Sequence, residues 1–282
     1  MTVRVCMIGD VYSSAGLNML KKHLPRFLEE GKIDFCVVNG ENATGGNGII
    51  PDDAKEIFSA GADVITGGNH TFERREIFPF FDENLLRFLR PANFPEKNNP
   101  LIDALFEEKS SNYKIPGRGK CEIEKNGCRF AVLNLQGRYN MRPIECPFSC
   151  ADEILREFSE DSVVVVDFHA EDNSEKEAMA FFLDGRVSLL AGTHTHVQTA
   201  DQRVLPKGTA YISDLGFTGV EKSIIGSSIE SAISRAKSDV SLKLSPAEGA
   251  CVLSGIVATI DKETKRAISV ERIKIREEDT DV

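Results

Sequence analysis

The chain of 282 residues has no tryptophan, only five histidines, and no apolar run near the ~20 residues a membrane helix requires. Its N-terminus, Met1-Thr2-Val3-Arg4-Val5-Cys6-Met7-Ile8-Gly9-Asp10, turns polar too soon for a secretory signal. The seven cysteines are odd in number and form no C-x-x-C pair. Cys6 and Cys36 lie in apolar, strand-like runs where small buried thiols are common, and Cys146 and Cys150 stand at a spacing that fits no usual zinc motif. These absences read as a reduced, cytoplasmic protein with structural cysteines. Positive charge is short as well: 34 Lys and Arg against 44 Asp and Glu leave a net charge of −10. General nucleic-acid binders and proteins of anionic membrane surfaces carry a basic footprint, so this balance argues against both. A phosphate substrate is not excluded, because bound cations reverse the field locally.

With 41% hydrophobic residues the core is ample, and no repeat or low-complexity linker divides the chain. Residues 1–282 read as a single domain of mixed sheet and helix layers. Val3 to Ile8 is a short strand ending in Gly9-Asp10. A helix over roughly Ala15 to Glu30 follows, with Leu17, Leu20, Leu24 and Phe27 at helical spacing and Pro25 as a kink. Phe35 to Val38 and Asp63 to Thr66 are further strands, separated by a helix from Pro51 that closes at Gly61; another helix runs from Glu73 to about Leu86. This β-α order predicts a right-handed parallel sheet. An irregular insertion occupies about 91–119. Asn126-Gly127 between apolar runs predicts a hairpin, so antiparallel pairing begins there. Asp152 to Phe158 reads as helix, Val163 to Val166 as a buried strand, and Ser174-Glu175-Lys176-Glu177 as a capping box. Tyr211 to Asp214 is another strand, and a terminal hairpin spans about 248–276.

The centre of interest is Ala191-Gly192-Thr193-His194-Thr195-His196, which follows a buried apolar run. A period of two puts both histidines on one side of an extended backbone, a good start for a transition-metal site. Four of the five histidines follow the same placement rule. Strands end in Asp10, in Glu41-Asn42, in Asn69-His70, in His169 and in His194/His196, and carboxyl ends of strands are where α/β sheets bind ligands. His23, on the first helix, is the exception and reads as surface or cap. A single catalytic zinc needs three protein ligands and an open position, so these candidates suit two ions about 3.5–4 Å apart. The set contains no thiolate, which leaves Mn²⁺, Fe²⁺ and Zn²⁺ all compatible.

Gly9-Asp10, Gly40-Glu41-Asn42, Gly68-Asn69-His70, His169 and Gly192-Thr193-His194-Thr195-His196 resemble the ordered blocks of the calcineurin-like metallophosphoesterases. The chain is more similar still to their bacterial YmdB-type branch, phosphodiesterases that open 2′,3′-cyclic nucleotides. Arg90-Pro91-Ala92-Asn93-Phe94-Pro95, Asn134-Leu135-Gln136-Gly137-Arg138, Val197-Gln198-Thr199-Ala200-Asp201 and Leu205 to Tyr211 carry the likeness over nearly the whole length.

That resemblance implies an α/β fold, a metallophosphoesterase-like β-sandwich of mixed sheets flanked by helices in αββα layers. It implies a di-metal phosphodiesterase for 2′,3′-cyclic nucleotides or related small diesters, with two divalent ions, iron or manganese ahead of zinc. At matching positions Asp10, Glu41, Asn42 and His196 would hold one ion. Glu41, as the bridge, would hold the other with Asn69, His169 and His194. A metal-bridging hydroxide would attack in line, and His70 would be the general acid. The chemistry agrees, since the expelled alkoxide needs a proton and histidine titrates near working pH. Tyr12, Glu41 and Thr71 depart from the wider superfamily in the branch's own way; Leu17 and Phe72 depart from the branch, which bears on substrate preference.

Two rival functions are a phosphomonoesterase or protein phosphatase, and a metal-bound regulatory protein that senses a nucleotide. No other cofactor, no membrane and no general nucleic-acid partner is expected, and apolar faces leave room for a homo-oligomer. Asp167 and Asp214 each read equally as ligand-orienting residues or strand-end turns. Arg138 reads as a phosphate contact or a surface salt bridge, Glu171-Asp172 as a solvated loop, and Glu277 to Asp281 as a frayed end.

Overall fold

The computed structural model describes residues 1–84, 87–95, 115–238 and 242–277. The end of the helix expected to Leu86, most of the insertion expected at 91–119 and nearly all of the acidic tail lie outside the described residues.

In chain order the strands are β1 (Thr2–Ile8), β2 (Asp10–Val11), β3 (Phe35–Asn39), β4 (Val64–Thr66), β5 (Phe88–Leu89), β6 (Lys120–Lys125) and β7 (Cys128–Gln136). They continue as β8 (Val163–His169), β9 (Leu189–Thr193), β10 (Arg203–Val204), β11 (Ala210–Ile212), β12 (Phe217–Val220), β13 (Cys251–Asp261) and β14 (Ala267–Arg276). The helices are α1 (Ser13–Glu30), α2 (Pro51–Ser59), α3 (Phe78–Glu83), α4 (Pro147–Leu155), α5 (Asn173–Leu183) and α6 (Ile229–Lys237).

Two mixed sheets pack face to face. One runs β2-β12-β13-β1-β3-β4-β5, with β14 pairing β13; the other runs β10-β11-β9-β8-β7-β6. β1, β3, β4 and β5 are parallel, as the β-α order predicts, and so are β7, β8, β9 and β11. Side-chain alternation builds the layers. Val3, Val5 and Met7 of β1 and Val163 and Val165 of β8 meet in the core between the sheets. Cys6 and Ile8 turn the other way, onto Leu17, Leu20 and Leu24 of α1 and Ile57 of α2. Val164, Val166 and Phe168 of β8 cover Met179, Ala180 and Leu183 of α5. The order helix, sheet, sheet, helix is therefore present.

Asn126 and Gly127 both have positive φ, 52° and 65°, as the two-residue turn between β6 and β7 requires. The terminal hairpin is also present, but β13 inserts between β1 and β12 and belongs to the body of its sheet. Several local expectations need correction. α4 begins at Pro147, whose missing N–H costs nothing at a helix start, and not at Asp152. The segment after Glu73 opens as a 3₁₀ turn, Arg75–Ile77, before α3. Asp172 caps α5 through the amides of Ser174 and Glu175, so the expected capping box is not what starts that helix. Glu175 is buried and accepts instead from the amides of Arg138 and Tyr139. All seven cysteines are free thiols, five of them buried. No described helix is long and apolar enough to cross a membrane.

Candidate metal centre

Because β1, β3 and β4 run parallel in one sheet and β8 and β9 in the other, their carboxyl ends bring the five sequence blocks together. His169 Nε2 lies 3.1 Å from Glu41 Oε1, 2.9 Å from Asn69 Oδ1 and 3.0 Å from His194 Nδ1. One donor atom each from Glu41, His169 and His194 fits within 4.8 Å of the others. On the other side, Asn42 Nδ2 is 3.1 Å from Glu41 Oε1 and 3.3 Å from His196 Nε2, and His196 Nε2 is 3.6 Å from Asp10 Oδ1. All seven candidate ligands thus share one site, in two groups that meet at Glu41. The backbone amide of His70 donates to Glu41 Oε2 at 2.9 Å, which ties that buried carboxylate to the loop carrying His70.

The route of the H-x-H pair differs from the expected one. β9 ends at Thr193, and the backbone then turns left-handed at His194 (φ 104°) and at His196 (φ 63°). Strand alternation would leave both rings on one face; the turn sends them to different groups of the site. Side chains disfavour such φ values, so the turn must be held from outside. Asp10 Oδ2 takes the amide of His194 at 3.3 Å, and Asp214 Oδ2 takes the amide of Thr195 at 3.1 Å. Asp214 also binds Lys176 Nζ at 2.8 Å in a fully buried ion pair. Asp214 is therefore more than a strand-end turn.

Each of the three histidines of the cluster has a partner on its far nitrogen. His169 Nδ1 lies 2.9 Å from Thr193 Oγ1, His194 Nε2 lies 3.1 Å from a carboxylate oxygen of Glu171, and His196 Nδ1–H donates to Ile225 O at 2.8 Å. Such partners fix ring orientation and tautomer. Glu171 is consequently not a merely solvated loop residue, whereas Asp172 serves the helix. His70 differs: its Nδ1 is buried without a hydrogen bond among the described residues, and Glu73 stands 3.8 Å away.

Charge at the site is concentrated and dry. Burial alone would push Asp10 up, but the His196 imidazole beside it and the His169 charge hold its carboxyl below the usual range. Burial opposes ionisation of Glu41 too, and the His169 charge again prevails to lower it. Burial lowers His169, yet Glu41 outweighs this and raises it to about 9. His196 is raised against its burial by Asp10, while burial and the His169 charge push His194 down to about 3. Asp10 Oδ1 and Asn42 Oδ1 are buried without hydrogen bonds among the described residues. Buried acceptors left bare are costly, and a cation would satisfy both. The donor set and these bare oxygens fit divalent metal ions.

Elsewhere, Tyr12 does not join the donors. Its ring meets His196 edge-on at 5.6 Å and its hydroxyl bonds Ser227 Oγ at 2.9 Å. Leu17 is buried beneath α1, and Phe72 packs against Phe78, Phe81 and Phe94. The Arg138 side chain is exposed and His23 is half-buried on α1. Lys176, Thr193 and Asn39 escaped the sequence reading; a buried lysine on a helix of mixed polarity leaves no periodic signal.

Two stacked mixed sheets between helices, with Asp, Glu, Asn and His at their shared edge, define the metallophosphoesterase fold. The NAD nucleotidase of Haemophilus influenzae superposes with a TM-score of 0.58 over 98% of this chain and 56% of that one, at 12% identity, a likeness of fold alone. The sequence profile described as YmdB-like protein matches residues 6–273, and the chain belongs to that family. The 2′,3′-cyclic-nucleotide 2′-phosphodiesterase of Bacillus subtilis (strain 168) is 42% identical over 277 residues, 98% of either chain. The crystal structure of a novel phosphatase from Mycoplasma pneumoniae superposes with a TM-score of 0.86 at 31% identity, over 99% of this chain and 95% of that one.

Proposed function

We propose that the protein is a di-metal phosphodiesterase that opens 2′,3′-cyclic nucleotides or related small diesters. The observation that carries this reading is Glu41, a buried carboxylate in contact with both donor groups. Asp10, Asn42 and His196 would complete one cation site, and Asn69, His169 and His194 the other. A pair of divalent ions there supplies electrophilic activation of the phosphoryl group and of the attacking water. His70 gives its proton to the departing ribose oxygen as the new P–O bond forms and the old one breaks. Its ring is poised for this because, unlike the other three, its Nδ1 makes no hydrogen bond among the described residues, Glu73 standing 3.8 Å away. The acidic surroundings keep a free anion out of the site unless cations are present, so substrate follows metal. The name of the B. subtilis relative supports the cyclic diester. The M. pneumoniae relative, called a phosphatase, favours a monoester as the second reading.

The test is hydrolysis of 2′,3′-cyclic AMP with added Mn²⁺ or Fe²⁺, with and without chelator, beside His70→Ala. We expect metal-dependent turnover that falls by about 10²–10⁴ in the variant while its metal content is kept. Preference for p-nitrophenyl phosphate over its bis-ester would favour the monoester. Two bound metals with no turnover of either diester would overturn the enzymatic reading.

A further inference from the structure

We propose that Asp167 and Thr193 are positioning residues for His169, and that the carboxylate at 167 keeps hydrogen on Nδ1 of that ring and so leaves Nε2 to the metal centre. The inference rests on the reading of His169 as a metal ligand.

Asp167 is fully buried on β8, two residues before His169 and on the same face of the strand. Its Oδ2 accepts from Asn39 Nδ2 at 3.0 Å and from the Thr66 hydroxyl. Asn39 cannot be turned round, because its Oδ1 takes the amide of Glu41 at 3.2 Å. Asp167 Oδ1 faces the Thr193 hydroxyl at 2.7 Å, and the same hydroxyl oxygen lies 2.9 Å from His169 Nδ1.

Proton counting then leaves one arrangement. A carboxylate only accepts, and a hydroxyl has a single proton to give. Thr193 donates that proton to Asp167, so only a lone pair is left for His169. His169 must then carry hydrogen on Nδ1, so that a cation which replaces the hydrogen on Nε2 meets the one lone pair that faces Glu41, Asn69 and His194. That is the tautomer a metal ligand needs at this nitrogen. Direction in the relay comes from Asp167 alone. An asparagine there would keep its carbonyl oxygen toward the Thr66 and Asn39 donors and turn its amide toward Thr193. The Thr193 hydroxyl would then be free to donate to His169 Nδ1, which would place the ring hydrogen on Nε2, against the cations. A buried Asp-to-Asn change that preserves shape and reverses a tautomer has a precedent in serine proteases. The arrangement also accounts for the threonine at 193, whose hydroxyl serves Asp167.

The test compares wild type, Asp167→Asn, Thr193→Val and Thr193→Ser. Divalent-metal affinity is measured by chelator competition, with melting curves to establish that each protein folds. In parallel, the imidazole N–H groups of metal-free protein are read by ¹⁵N–¹H NMR. We expect Asp167→Asn and Thr193→Val to lose about 10–100-fold in affinity for one of the two metals, and Thr193→Ser to stay near wild type. The NMR should show a protected hydrogen on Nδ1 of His169 in wild type and none there in Asp167→Asn. Folded Asp167→Asn with wild-type affinity and the Nδ1 hydrogen retained would overturn the relay. Equal losses in Thr193→Ser and Thr193→Val would also overturn it, pointing to packing. If wild type binds no divalent metal, the reading of the site fails, and the NMR still decides the relay.

Discussion

Gly68→Ala would place a methyl group where Glu41 and His169 meet. A Cβ at this position would lie 2.4 Å from Glu41 Oε2 and 2.4 Å from both Cδ2 and Nε2 of His169. Ordinary contacts are about 3.5–4.0 Å, so both side chains would have to retreat by roughly an ångström. Neither has room. Both are buried, Glu41 is held by the amide of His70, and His169 is held by Thr193. Gly68 is not among the glycines with positive φ, so alanine suits the backbone and the penalty falls on the site. Overpacking of this kind costs about 1–3 kcal/mol of stability. Displacement of catalytic groups by about 1 Å costs on the order of 10²-fold in rate. We therefore expect a folded protein with a modestly lower melting temperature, reduced metal content and about 10²-fold slower diester hydrolysis. Elemental analysis, thermal melting and initial rates on 2′,3′-cyclic AMP measure the three. An alanine variant with both metals and a rate within about threefold of wild type would refute the claim that close contact at Gly68 holds these candidate ligands.

Lys176→Met leaves the Asp214 carboxylate buried without its cation and should cost about 3–5 kcal/mol, read from denaturant midpoints. His169 gives a pH dependence to the metal-free protein: its pKa is raised from 6.5 to about 9, so the charged ring stabilises the fold. That contribution is complete below pH 6.5 and is lost as pH rises through about 9; chelated protein should melt progressively lower across this window. Metal must displace the same proton, so apparent affinity should climb with pH, by up to about tenfold per unit, in competition titrations. Ile225, a β-branched residue at φ 48° with an exposed side chain, should be relieved by Ile225→Asn, which raises stability by about 1 kcal/mol in thermal melts.

Much of the site could be read without coordinates because its residues are scarce and punctual. Histidine is rare in this chain, and its placement a few residues beyond short apolar runs is a local pattern that survives without tertiary knowledge. The long strands β1, β3, β8 and β13 were legible for the same reason, since they fill enough residues for their apolar character to stand out. β2, β5, β10 and β12 have two to four residues each, too few for any period, and exist only because longer neighbours offer them hydrogen bonds. The left-handed turn at His194 and His196 was equally hidden, because what holds it are Asp10 and Asp214, far away in sequence. Glu171 and Glu175 misled for one reason: an acidic residue near a helix start reads as a cap or a solvated charge, and only the fold supplies His194 to one and the amides of Arg138 and Tyr139 to the other.

The insertion of β13 between β12 and β1 has a temporal consequence. Thr2 pairs with Asp261 and Ile8 with Gly255, so the strand that delivers Asp10 acquires its neighbour on that side only from the far end of the sequence. A ribosome releases β1, β3, β4, β8 and β9, and with them every candidate ligand, before β13 emerges. During that interval carboxylates and imidazoles are present without the sheet that spaces them, while β1 and β12 both wait with an open edge. Long-range closure of this kind is slow and exposes strand edges to the wrong partner. Nascent chains that stall before residue 251 should therefore be the aggregation-prone species of this protein, and cations taken up by them would be bound in arrangements the finished sheet does not permit.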